Sequence, residues 1–232
     1  MSKDPSFDDQ YVWIRTQDGS PTLWSNQLGE PFRSVKGAFR ESLLVFVKPA
    51  IEYILQKNIK NPVIGEFGLG IGTNWMLFNL LAPAFDIEHS YFAIEKDTTP
   101  FFESQKKWEL EIPLIEKIIE DVFKKRISVS FSSLKSPQIL NSLEAASPGN
   151  KASIWFHDPF GFGVNPEGYT EETLIKCENL WAPQFLGLSY ACNSNFQRVL
   201  KNRGLSRVES IDTQSPPLKK ERLEFERFDK NT

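Results

Sequence analysis

Cysteine and histidine are scarce: 232 residues include only Cys177, Cys192, His89 and His157. Two cysteines are too few for a disulfide framework or a zinc site, and they read as reduced thiols. Two histidines argue against a histidine-based metal centre, so no metal is expected. No apolar run approaches the roughly 20 residues that cross a bilayer, so no membrane partner is expected either. The opening MSKDPSFDDQ lacks an apolar core, which argues against a signal peptide and for a cytoplasmic location. A dominant charge is also missing: 27 Lys and Arg stand against 30 Asp and Glu, a net charge of −3. That excludes a general nucleic-acid sponge and confines any RNA contact to local patches.

What is present is an alternation of strand-like and helix-like segments. YVWIRTQDGSPTLWS reads as a hairpin turning at Asp18-Gly19. GAFRESLLVFVKPAIEYILQK has helical apolar spacing, with Pro49 expected to kink or restart it. From Pro62 the chain reads strand PVIGEF, helix NWMLFNLLA, strand SYFAIE, helix PLIEKIIEDVFKK, strand RISVSF and helix PQILNSLEAA. Strand ASIWFHD, helix EETLIKCENLW, a strand within PQFLGLSYAC and helix NSNFQRVLKNRG follow, the last capped by Ser194 and stopped by Gly204. SRVESIDT and RLEFERF read as two closing strands. This alternation predicts an α/β fold with a mostly parallel sheet and an antiparallel pair at one edge. Residues 1–60 are expected to be an N-terminal elaboration packed on a core of residues 61–232, in one structural domain.

GEFGLGIGTNW, Gly65 to Trp75, follows the first core strand and opens a helix. Ligands in such sheets bind at the carboxyl ends of the strands. Glycine lets backbone approach a ligand closely, and a helix N-terminus offers free amides. Glu95 ends the second strand about 23 residues beyond Gly72, where an acid can accept from both hydroxyls of a ribose. Loop and acid together indicate a nucleoside cofactor. Glu66 within the loop would repel a pyrophosphate but suits a cationic ligand, and the spacing is G-x-G-x-G rather than G-x-G-x-x-G. These features favour S-adenosylmethionine over NAD.

The chain resembles the tRNA methyltransferase domain of MnmC, the 5-methylaminomethyl-2-thiouridine biosynthesis protein, and its stand-alone relatives. The resemblance runs from Trp13 to Phe228. It rests on TQDGSPTLWSNQLGEPFRSVKGAFRESLLVF, EFGLGIGTNW, YFAIEK, WFHDPFGFGVNP and the basic ending LKKERLEFERF. It implies a class I, Rossmann-like S-adenosylmethionine-dependent methyltransferase that methylates an aminomethyl group on a tRNA wobble uridine. It covers the methyltransferase step only, and so implies a separate oxidase or other upstream tRNA-modifying enzyme as the source of the amine.

The resemblance places Glu66, Gly68, Gly70, Gly72 and Asn74 on the cofactor loop and Glu95 at the ribose. Asp158 falls where the target amine meets the methyl group, and Asn165 and Pro166 fall on the loop beyond. Pro159 stands where the family has glycine, and Phe162 and Val164 replace its proline and basic residue. The family's acid after the third strand has no counterpart in SFSSLKS, so Ser132 or Ser133 is expected to serve the adenine. Phe160 and Phe162 suit stacking on a splayed base, with Tyr169 in the same wall. His157 should face away from Asp158, since neighbouring strand residues point to opposite sides. Basic runs stand at Lys124 to Arg126, around Arg198 to Arg207 and at Lys219 to Arg222; such runs are more often solvated faces, and the last two are the candidate phosphate contacts. Methyl transfer to another amine or nucleophile, a non-catalytic nucleotide- or RNA-binding relative, and an NAD-dependent oxidoreductase remain open as alternatives.

Overall fold

The computed structural model of the chain describes residues 7–146, 149, 151–191, 193–205, 207–210 and 221–226. A short helix α1 (Phe7–Gln10) leads into β1 (Tyr11–Arg15), β2 (Pro21–Ser25) and β3 (Glu30–Pro31), a small antiparallel sheet in the order β1-β2-β3. Asp18 in the hairpin turn accepts from Ser20 N at 3.0 Å and from Arg40 N at 3.0 Å. One carboxylate thus closes the turn and caps the next helix, where an anion is favoured. That helix runs through α2 (Ala38–Ser42), a π-helical turn Leu43–Val47 and α3 (Lys48–Lys57). Pro49 lies in the first turn of α3. It has no N–H to donate, and the expected kink takes the form of the wider turn before it.

The main sheet follows. It comprises β4 (Val63–Phe67), β5 (Ser90–Ile94), β6 (Gln138–Leu140), β7 (Ala152–His157), β8 (Trp181–Ser189), β9 (Arg207–Ser210) and β10 (Glu221–Phe225). Its order is β6-β5-β4-β7-β8-β10-β9. Pairs from β6 to β8 are parallel, and β10 is antiparallel to both β8 and β9, as the two closing strands predict. The helices are α4 (Thr73–Leu81), α5 (Thr99–Trp108), α6 (Ile112–Phe123), α7 (Glu171–Glu178) and α8 (Ser194–Asn202).

Both faces of the sheet are covered, which is why its strands read as continuous apolar runs rather than alternating ones. Along β5 and β7, Tyr91, Ala93, Ile154 and Phe156 enter one core with Phe46, Phe78 and Ile119. Phe92, Ile94, Ala152 and Trp155 enter the other with Trp181, Phe185, Phe196 and Phe225. The period of two divides the residues of β5 between these layers, and those of β7 from Ile154 on, beyond the irregularity in its pairing with β8 between Ala152 and Ile154.

Three expectations are corrected. RISVSF, residues 126–131, forms no strand: Ile127 and Val129 dock on the first core, and Val129 N donates to Glu116 Oε1 of α6 at 3.0 Å. Its alternation serves an extended segment anchored to a helix, because strand pairing is decided by tertiary context. The third core strand lies instead within PQILNSLEAA, where β6 pairs with β5 and a single 3-10 turn, Leu143–Ala145, follows. The cap of α8 is Asn193, whose side chain accepts from Phe196 N at 2.8 Å; Ser194 is the first helical residue. Helix α5 had no clear pattern in the sequence, because its buried face mixes Phe101 and Trp108 with the polar Ser104. Cys192, Lys219 and Lys220 lie outside the described residues.

The cap makes a direct prediction. Asn193→Ala should cost about 1 kcal/mol in denaturant unfolding. Ser194→Ala should stay within about 0.5 kcal/mol, as a surface change.

Candidate functional site

The strand order turns back between β4 and β7: from β4 the chain proceeds to β5 and β6 on one side, and to β7 and β8 on the other. Parallel α/β sheets open a crevice at such a switch point, outside the carboxyl ends of the strands. Here the ladder extends one residue past each strand. Gly68 N donates to Ile94 O at 3.0 Å, Glu95 N to Leu140 O at 2.9 Å, and Asp158 N to Phe67 O at 2.9 Å. Backbone pairing therefore sets Gly68, Glu95 and Asp158 side by side.

A cavity of about 530 Å³ lies over these ends, within the size range of small-molecule sites. Gly68, Leu69, Gly70 and Ile71 line it after β4, Glu95 and Lys96 after β5, Asn141 to Glu144 after β6, and Asp158 to Gly161 after β7. The N-terminal segment supplies a further wall with Glu30, Phe32, Arg33 and Glu41. Phe32 and Phe160 meet edge-on at 4.8 Å and join that wall to the loop after β7.

The glycines have separate reasons. Gly68 has φ +89, and a Cβ there would fall 2.6 Å from Asp158 O. Only glycine allows the ends of β4 and β7 to touch. Gly72, with φ +74, lies beneath Phe101 and caps α4 rather than lining the cavity. Ser104 of α5 donates to Ile71 O at 2.8 Å and so holds the loop from behind.

Glu95 faces the cavity with Oε2 accepting from Gly70 N at 2.9 Å and Oε1 from Asp97 N at 3.2 Å. Burial raises its pKa, against the pull of those amides. Each oxygen keeps acceptor capacity, since a carboxylate offers about four lone-pair sites.

Below the floor is a buried polar network. Glu66 and Asn74 are fully buried and do not reach the cavity. Asn74 Nδ2 donates to Glu66 Oε1 at 2.8 Å and to Asp158 Oδ2 at 2.7 Å, while Tyr91 OH donates to Glu66 Oε2 at 2.7 Å. Arg33 pairs with Asp158 Oδ2 through Nη1, and its Nη2 lies 3.9 Å from Glu66 Oε1. Burial pushes Glu66 up to about 8, with the Asp158 charge adding to the rise and Arg33 opposing it. Burial likewise pushes Asp158 up to about 7, again against Arg33. Burial lowers the Arg33 pKa, but the surrounding carboxylates outweigh it and the net shift is upward. The reading of Glu66 as a direct partner of a cationic ligand is therefore corrected: its oxygens are taken by Asn74, Tyr91 and Arg33.

Other sequence-derived candidates separate in the same way. Phe160 and Asn165 line the cavity; Phe162, Pro166 and Tyr169 do not. Phe162 is exposed. Pro166 begins a 3-10 turn, Pro166–Tyr169, which Asn165 caps by accepting from Gly168 N. Tyr169 is buried, and its OH donates to Pro159 O at 3.0 Å, beside Tyr190 OH at 2.8 Å. Together they fix the carbonyl next to Asp158. Ser132 and the position of Ser133 precede β6 and lie away from the cavity, so Asn141 and Ser142 occupy the place expected of them. His157 is packed between Phe67 and Phe196, its Nε2 is 2.8 Å from Gly168 O, and burial lowers it to about 4. Arg33, Glu41, Tyr190 and Asn141 are not among the sequence-derived site residues, although Arg33 and Glu41 lie within the stretch that carries the family resemblance. Arg33 is one basic residue in PFRS, and only the fold brings it to Asp158.

Among the described residues no group of His, Cys, Asp and Glu is arranged to hold a metal ion. None of their helices is long and apolar enough to cross a membrane.

The buried acids give stability a definite pH dependence. Asp158, at 3.8 when unperturbed and about 7 in the fold, binds a proton more tightly folded than unfolded. Its contribution is complete below about pH 4 and is lost as pH rises through 7. Denaturant unfolding at pH 5 and pH 9 should show a smaller decline for Asp158→Asn than for the wild type.

A family model described as S-adenosyl-L-methionine-dependent methyltransferase matches residues 99–223, more than half of the chain. No curated protein matches. Among solved structures, MNMC2 from Aquifex aeolicus is 24% identical with a TM-score of 0.66, over 93% of this chain and 70% of that one. This likeness extends through the fold. The magnesium protoporphyrin IX methyltransferase ChlM from Synechocystis, solved with bound SAH, is 12% identical over 78% of this chain and 82% of its own, with a TM-score of 0.44. The residues present fit the cofactor, with an acid at the end of β5, a loop after β4 in which Gly68 and Gly70 present bare backbone, and polar groups after β6, all on one cavity. The chain belongs to the S-adenosyl-L-methionine-dependent methyltransferases of that matched family, and S-adenosylmethionine is its cofactor.

Proposed function

We propose that the chain N-methylates the aminomethyl group of a tRNA wobble uridine. The observation that carries this reading is Asp158, a carboxylate opening onto the same cavity as the glycine loop and Glu95. The MnmC-like motifs and the fold shared with MNMC2 from Aquifex aeolicus support the choice of substrate.

The residues take these roles. Gly68 to Ile71 offer backbone to the cofactor, Glu95 accepts from the ribose hydroxyls, and Asn141 and Ser142 meet the adenine in place of Ser132 and Ser133. Glu66, Gly72 and Asn74 act indirectly, by supporting the loop and Asp158. Bound S-adenosylmethionine supplies an electrophilic methyl group.

An alkyl amine is mostly protonated near neutrality, with the lysine value about 10.4. The amine must shed a proton and present its lone pair in line. Asp158 accepts an N–H of the amine, which orients the nitrogen and gives the proton a first acceptor. Its value of about 7 leaves the carboxylate ionised just above neutrality. Alignment supplies much of the remaining rate.

Phe160 offers a ring for the splayed base, as single-stranded RNA is commonly held. Residues 7–60 are the substrate-side elaboration, since Glu30, Phe32 and Arg33 of this segment line the cavity. A separate enzyme that exposes the amine, such as an oxidase removing a carboxymethyl group, supplies the substrate.

Two measurements test the proposal. Calorimetric titration with S-adenosylmethionine should show binding that Glu95→Ala weakens at least about tenfold, about 1.4 kcal/mol. Labelled methyl should transfer to tRNA bearing 5-aminomethyl-2-thiouridine and not to tRNA already methylated at that nitrogen. Binding without transfer to the first tRNA would contradict the substrate assignment.

A further inference from the structure

Asp158 is held asymmetrically. Arg33 Nη1 and Asn74 Nδ2 both engage Oδ2. Among the described residues Oδ1 has no hydrogen-bond partner, and it is absent from the buried atoms left unsatisfied. It therefore opens toward the cavity that Asp158 lines. Glu66 differs: Asn74 takes Oε1 and Tyr91 takes Oε2.

Arg33 itself has little freedom. Its side chain is 5% exposed, and its guanidinium lies 5.7 Å from the centre of the Phe46 ring. A planar guanidinium can reach two carboxylates at once from a fixed position, which an ammonium does less well.

We propose that Arg33 is a positioning residue for methyl acceptance: with Asn74 it anchors Asp158 by Oδ2 and so presents Oδ1 as the acceptor for the substrate amine. The inference deepens the methyltransferase reading above and rests on it. It assigns the buried network a task beyond stability. Asn74 ties the two acids together, Glu66 holds Asn74 in place, and Arg33 supplies the charge that lets Asp158 remain an acceptor.

The groups around Asp158 make this charge necessary. Glu30 and Glu41 line the same wall, Glu66 lies behind Asn74, and the hydroxyls of Tyr169 and Tyr190 are spent on Pro159 O. His157 faces the opposite core, and burial keeps it neutral near pH 7. With Arg33 removed, the acids meet without a buried cation. Asp158 then keeps its proton and turns from acceptor to donor.

The test uses the full chain, aspartate carboxyl-labelled with carbon-13, as wild type, Arg33→Met and Arg33→Lys, with Asp158→Asn to assign the signal. In folded Arg33→Met the Asp158 titration midpoint should rise by about one unit or more. The ascending limb of kcat against pH, on 5-aminomethyl-2-thiouridine tRNA, should move with it. At pH 7 kcat should fall at least about fivefold, the loss of ionised Asp158 that a one-unit rise from about 7 brings, while the calorimetric Kd for S-adenosylhomocysteine stays within about threefold. Arg33→Lys, which keeps the charge, should recover part of kcat and most of the midpoint.

A folded Arg33→Met that binds S-adenosylhomocysteine with an unmoved Asp158 midpoint overturns the proposal. If Arg33→Met does not fold, Arg33→Lys decides: kcat equal to wild type would contradict positioning by the guanidinium. If wild type binds cofactor but methylates no tRNA, the substrate reading fails. The carboxyl titration then still reports on Arg33 alone.

Discussion

The site depends on one buried cation among acids. Arg33, Glu66, Asn74 and Asp158 form a connected group beneath the cavity floor, with Tyr91 closing the far side. Removing one partner from such a group leaves an uncompensated charge and costs about 3–5 kcal/mol, whereas a complete group need not stabilise the fold at all. Its worth lies in geometry. It joins β4, α4, the loop after β7 and the N-terminal wall through side chains whose protonation states are mutually constrained. The N-terminal segment is therefore part of the site, because its arginine completes the group.

The backbone performs the complementary task. One-residue extensions of the sheet ladder place Gly68, Glu95 and Asp158 in a row, and glycine at position 68 permits the contact of β4 with the loop after β7. The cavity inherits its shape from the switch in strand order. Its chemistry comes from whichever residue follows each strand: amides after β4, an acid after β5, amide and hydroxyl groups after β6, and a second acid after β7. A nucleoside and a nucleophile can then be held on one floor, with proximity supplying much of the rate.

Much of this was legible in the chain. SYFAIE and ASIWFHD carry apolar residues for two cores and end in Glu95 and Asp158, so strand, burial and site acid coincide in one motif. The third strand was not legible, because RISVSF has the alternation of a strand and PQILNSLEAA the spacing of a helix. Only pairing with β5 selects the latter segment. That displacement is why the adenine was expected at Ser132 and Ser133, whereas Asn141 and Ser142 are the residues that line the cavity. Glu66 was misread for a related reason: sequence shows an acid beside glycines but not that its side chain points below the floor. Arg33 was invisible, since a single arginine in a loop acquires meaning only from residues far along the chain.

Hydrogen–deuterium exchange with and without S-adenosylhomocysteine addresses the central claim, that the row of strand ends is the cofactor site. Protection is expected together in segments 67–74, 94–98 and 140–145, which meet only in the folded sheet. Saturable binding that leaves all three segments unprotected, or that protects a different face, would contradict it.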